Sequence, residues 1–158
     1  MITLFRYNWN VREDWFTWCE QLPSEELLRQ RTGGLGSILH NLFHIVDVEY
    51  SWINFLQDKP EFEEPFSNYQ SLEQVKALSD AFHVEVKAFL DGWSNEMENH
   101  TVTEIRENGQ TTKFTHGEIL RHVIAHEIHH IGQLSVWSRE LGRKPVTANL
   151  IGRGLFEN

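Results

Sequence analysis

Four stretches of this chain repeat apolar side chains at three- and four-residue intervals, and a helix with such a stripe is stable only when neighbouring elements cover it. From Leu4 onward the first carries Val11, Trp15, Trp18 and Leu22 before Pro23 interrupts the pattern. After the turn-forming TGGLG, Ser37 is placed to N-cap a second run over about 37 to 57, with Ile38, Leu42, Ile45, Trp52 and Leu56 in register. Ser71 and Gln74 have capping-box spacing ahead of Val75, Leu78, Phe82, Phe89 and Trp93, the third helix. Thr115 and Glu118 repeat that box before Ile119, Val123, Leu134, Trp137 and Leu141, and Gly142 and Pro145 end the fourth.

The connections are of two kinds. Residues 58–70 hold two prolines and three glutamates without periodicity and read as a loop, its EFEEPF run solvated. Residues 101–114 place β-branched residues on both sides of Asn108-Gly109, which predicts two short strands joined by a tight turn. The tail from Val146 is too short for a domain and is expected to pack as a helical turn and a strap. The fold class this predicts is all-α: a four-helix bundle with a small β-hairpin between helices three and four, in a single domain over 1–158.

With 40% hydrophobic residues the 158-residue chain has enough apolar surface for a core. One cysteine, Cys19, excludes an intramolecular disulfide framework, and the opening residues lack a basic region followed by an apolar run, so the cytoplasm is the expected location. No stretch approaches the roughly 20 apolar residues that a bilayer requires. A formal charge of −9 repels phosphate backbones and anionic lipid, so no nucleic acid and no membrane is expected as partner, and a small molecule or another protein is.

Four of the nine histidines fall in HVIAHEIHH, at 122, 126, 129 and 130. On a helix His122, His126 and His130 succeed one another by about 40° and about 6 Å of rise, and His129 lies on the same side. Two imidazoles one turn apart can close on one ion, but His122 and His130 are about 12 Å apart along the axis, so one pair ligates while the remaining histidine lines the site or faces water. The second helix offers His40 and His44, also one turn apart among apolar neighbours, and a donor from there would bring the set to three. Three protein nitrogens with an open position is the pattern of a catalytic zinc or a similar divalent ion. His83, His100 and His116 stand alone and read as solvated or locally bonded, and Trp52 and Trp137 are placed to wall a cavity between their helices.

Residues 126–130 also satisfy H-E-x-x-H, the zinc-protease signature with Glu127 as general base. A protease needs a third ligand, yet only Glu140 and Glu157 follow as carboxylates beyond the motif, one about 15 Å along the same helix and one in the tail. Glu127 is left with at most a base's role toward a smaller substrate.

Two segments, HIVDVEYSWI and HVIAHEIHHIGQL, resemble the DinB family, also called DinB/YfiT-like, of bacterial metal-binding four-helix bundles. The first matches its pattern of histidine, glutamate and tryptophan at His44, Glu49 and Trp52; the second matches histidine, histidine and glycine-glutamine at His126, His130, Gly132 and Gln133. The resemblance implies that His44, rather than His40, joins His126 and His130 around one divalent ion, zinc or nickel. It also implies homodimers, and either thiol S-transfer with a low-molecular-weight thiol such as bacillithiol or mycothiol, or metal-dependent hydrolysis. The leading expectation is a metal-dependent S-transferase acting on a small molecule; the alternatives are a hydrolase of small amides or esters and a non-catalytic, stress-associated metal-binding protein. Cys19 has no evident activating neighbour and is expected to be a buried apolar residue.

Overall fold

The computed structural model describes residues 1–106 and 108–156. Helices dominate it: α1 (Ile2–Cys19), α2 (Ser24–Leu28), α3 (Ile38–Leu56), α4 (Leu72–Asp91) and α5 (His116–Glu140), with short 3-10 turns at Phe66–Asn68 and Asn95–Asn99. Strands β1 (Thr101–Ile105) and β2 (Thr111–Thr115) pair antiparallel between α4 and α5. The long helices form a closed circuit in which α3 packs on α4 and α5, and α1 packs on the same two.

The local signals act where their chemistry places them. Ser37 Oγ accepts from the His40 amide, and both expected capping boxes form, Ser71 with Gln74 and Thr115 with Glu118. Gly109 takes a φ of 79° in the hairpin turn, a region that a side chain disfavours. Thr115 ends β2 and caps α5 at once, so the hairpin fixes where the longest helix starts.

Four expectations need correction. The first helix begins at Ile2 and stops at Cys19, with Leu22 packed on the core from a turn. Pro23 then starts α2, a fifth helix of five residues that is too short to show a period. In the 58–70 loop Phe62 and Phe66 fold back on Phe43, at ring-centroid distances of 6.3 and 5.5 Å, so its aromatic rings are partly buried while its glutamates stay solvated. The tail is a strap of turns: Val146, Leu150 and Leu155 pack on the core, and Tyr7 Oη donates to Ala148 O at 2.6 Å.

The core is in two parts. Val11, Trp15, Phe16, Leu42, Leu134 and Trp137 belong to one cluster, and Phe5, Ile53, Val86, Leu90 and Leu120 to the other. Glu49 on α3 and Glu127 on α5 fall between them, both buried, and α1 adds buried Asn8 and Arg12 among its apolar residues. No helix among the described residues is long and apolar enough to cross a membrane.

Candidate metal centre

The packing of α3 on α5 brings the two histidine runs face to face. Nε2 of His126 lies 3.1 Å from Nε2 of His44 and 3.0 Å from Nε2 of His130. One donor nitrogen from each of the three lies within 4.8 Å of the others, a group that could hold a metal ion. Each neutral imidazole has one N–H, so a cluster of three lone-pair nitrogens is poorly satisfied by hydrogen bonding alone, while a cation, ligated at about 2.0–2.1 Å, would take up all three lone pairs.

His130 is oriented from behind. Its Nδ1 is 3.0 Å from Asn41 Oδ1 and 3.0 Å from Gln133 Oε1, both acceptors, so Nδ1 carries the proton and Nε2 presents its lone pair to the cluster. Asn41 is itself locked, because its Nδ2 donates to His130 O at 2.9 Å. Gln133 is set by the TGGLG turn: a Cβ on Gly34, which has a φ of 52°, would stand 2.5 Å from Gln133 Oε1. Gly34 therefore does more than turn the chain.

Burial, followed by repulsion from neighbouring imidazoles, pushes His126 down to about 3 and His44 down to about 4, and burial also lowers His130. All three are neutral bases near neutral pH, the form a metal ligand requires.

The other histidines go elsewhere. His40 stacks on Phe66 with ring centroids 4.1 Å apart and planes 1° from parallel, which holds it in the aromatic loop. His122 is exposed, its ring 5.6 Å from Trp52, and exposed His129 meets Gln133 Nε2 at 3.1 Å. His83 packs edge-on to Trp9 at 4.4 Å. His116, expected to be solvated or locally bonded, is buried where the hairpin meets α5, edge-on to His100, and its Nδ1 has no hydrogen-bond partner. Trp52 lines a cavity, but between α3, the 58–70 loop and β1 rather than between α3 and α5 as expected, and Trp137 is core, donating to Thr32 O at 3.2 Å.

Glu127 is not available as a base. The Arg12 guanidinium grips both of its oxygens, Nε on Oε1 at 2.9 Å and Nη2 on Oε2 at 2.6 Å, and the same group reaches Glu49 Oε1 at 3.0 Å. Trp9 Nε1 donates to the other Glu49 oxygen at 2.9 Å. All three charged residues are at most 3% exposed. Burial opposes the Arg12 charge, but the two carboxylates outweigh it and raise the group further; burial pushes the Glu127 carboxyl up while Arg12 pulls it down. Glu140, the other carboxylate near the protease-like motif, is half exposed and 3.9 Å from Arg31, while Glu157 lies outside the described residues.

Sequence reasoning missed Asn41 and Arg12. Arg12 carried a readable signal, since it sits four residues after Asn8 and four before Phe16, on the stripe that begins at Phe5. Asn41 gave none, as an asparagine beside apolar residues in a helix has many uses.

A three-histidine cluster backed by the amides of Asn41 and Gln133, on helices α3 and α5 of a helical protein, defines a candidate metal-binding class, and the comparisons with known proteins specify it. The DinB family model matches residues 1–153, and the chain belongs to that family. It is 52% identical over 155 residues to the uncharacterized protein YizA of Bacillus subtilis (strain 168), covering 98% of this chain and 96% of YizA. It is also 28% identical over 81 residues to the uncharacterized protein YrdA of the same organism, 51% of this chain and 48% of YrdA.

Three outcomes follow. Arg12→Met strands two carboxylates in the interior, and urea denaturation at neutral pH should show a loss of about 3–5 kcal/mol. Burial raises the Glu127 carboxyl, and without Arg12 nothing pulls it back, so the folded variant binds more protons than the unfolded chain and the deficit should shrink as pH falls. Asn41→Ala should weaken zinc binding by roughly 10–100-fold in a competition titration, by freeing the His130 ring. For the metal-free protein, depressed histidine values mean the unfolded chain binds more protons once pH drops below the ordinary histidine range. The histidine contribution to stability should therefore decline from about pH 6.5 toward about pH 3, measurable by comparing denaturation of wild type and His126→Leu across that window.

Proposed function

We propose that His44, His126 and His130 hold one divalent cation, zinc or nickel, and that the protein is a metal-dependent S-transferase acting on a small molecule with a low-molecular-weight thiol. The observation that carries this reading is the meeting of three Nε2 atoms from two helices, with the His130 tautomer fixed by Asn41 and Gln133. We read the long helices as a four-helix bundle forming a single domain, the architecture in which facing helices supply such donors.

When bound, a divalent ion with only three protein nitrogens supplies Lewis acidity that lowers the pKa of a thiol or water joining it. The chain's own thiol does not serve: burial pushes Cys19 up to about 12, so the sulfur must come with a substrate. The neutral imidazoles supply lone pairs, and Asn41 and Gln133 keep that of His130 aimed. Arg12 withholds Glu127 from proton transfer, which counts against a mechanism that uses it as base. The same donor set also suits metal-assisted hydrolysis of small amides or esters, the second reading.

In this reading the protein acts in the cytoplasm as a homodimer. Exposed Ile128 and Val136, two turns apart on α5, offer apolar surface to a second copy.

Elemental analysis should find about one equivalent of metal in the wild type and in His83→Ala, and none in His44→Ala, His126→Ala or His130→Ala. Full metal content in His44→Ala would remove the site. Conjugation of a fluorogenic electrophile by a panel of small thiols should require the metal and stop with chelator. Chelator-sensitive cleavage of small esters without thiol would select hydrolysis, and metal-dependent thermal stability with neither activity would select a non-catalytic metal-binding protein.

A further inference from the structure

Beside the histidine cluster lies a cavity of about 250 Å³ whose floor is the His44 face of α3. Residues 47, 48, 51 and 55 line it, at +3, +4, +7 and +11 from His44, the spacings that keep side chains on one side of a helix. The cavity therefore begins about one helical turn from the His44 imidazole and continues along that face for roughly 10 Å. Trp52 forms one wall and makes edge contact with His122, whose ring neighbours His126 at 5.8 Å.

The lining combines two chemistries. Trp52, Phe55 and Phe62 present aromatic surface, with Trp52 and Phe55 in edge contact at 5.7 Å. Asp47, Glu61 and Glu104 present carboxylates, from α3, the following loop and β1. No lysine, arginine or histidine lines the cavity among the described residues. Glu104 has a cation nearby, Arg106 at 3.5 Å, while Asp47 takes a hydrogen bond from Ser51 Oγ at 3.0 Å. Burial, and then repulsion from Glu61 set against that hydrogen bond, raise the Asp47 carboxyl, as expected for a half-buried acid facing another acid.

Aromatic faces beside unneutralised carboxylates attract an organic cation, which brings the missing charge and a body that the rings can cover; a hydrated metal ion gains little from such walls. We infer that this cavity is the substrate-body subsite of the histidine centre, and that it takes a small molecule carrying a protonated amine on an apolar stem. The amine sits between Asp47 and Glu61, roughly 5–10 Å along the α3 axis from His44, with the reactive end toward the imidazoles. The inference rests on the reading of the histidines as the reactive centre for its direction, but amine binding itself needs no metal.

The test is a calorimetric titration at low ionic strength with three probes of matched size: phenethylammonium, phenethyl alcohol and hydrocinnamate. Zinc-loaded wild type, chelator-treated wild type and His126→Ala should all bind the ammonium at least about 10-fold more tightly than the alcohol, with the carboxylate weakest, which separates this subsite from the fate of the metal site. Asp47→Asn with Glu61→Gln should abolish the preference. Glu61→Gln alone, on an exposed loop position where unfolding is not at issue, should reduce it severalfold. Equal affinity for ammonium and alcohol, binding of none of the probes, or a preference that survives in the double variant would overturn the inference.

Discussion

The contact on which the arrangement of α1, α3 and α5 depends is the guanidinium of Arg12, which lies between Glu49 and Glu127 and ties the three helices together below the solvent. A buried charge is tolerated only when its partners are placed within hydrogen-bond distance, so this contact has little freedom to slide. Its two carboxylates lie in sequence between the two apolar clusters on α3 and α5, and Glu127 directly follows His126. The register that satisfies Arg12 is thus the register that presents His44 to His126 and His130. Greasy contacts alone would accept neighbouring registers at modest cost, because apolar surfaces are not directional.

One guanidinium facing two carboxylates leaves a formal charge of −1 in the interior. A cation held by the nearby imidazoles would offset that charge, and the imidazoles themselves, kept neutral by burial, add none of their own. The polar belt and the histidine cluster are in this sense complementary: one supplies field and rigidity, the other supplies lone pairs. Asn41 and Gln133 connect to His130 in the same spirit, fixing a tautomer that solvent would otherwise leave free.

The periodic runs and capping boxes made the four long helices and the hairpin legible, because helix starts and tight turns are decided within a few residues. Helix α2 was invisible for the same reason in reverse: five residues cannot display a period. The Phe62 and Phe66 loop was misjudged as wholly solvated because its glutamates dominate its composition, whereas its position is decided by contacts to Phe43 on α3 and Phe82 on α4.

At the candidate centre, spacing alone pointed to a pair in 122–130 and to either His40 or His44, and resemblance to known proteins favoured His44, His126 and His130. What spacing could not decide was where each ring turns. His40 and His44 are equivalent as a repeat; they differ because Phe66, which is remote in sequence, stacks on one and leaves the other facing α5. Glu127 reads as a base within its motif and becomes an ion-pair partner only when α1 brings Arg12 against it. Sequence by itself determined the periodic elements and the kinds of donor available, since these follow from local backbone chemistry. Tertiary structure alone decided which donors meet and which acids are neutralised, since those depend on side chains that only packing brings within a few ångströms.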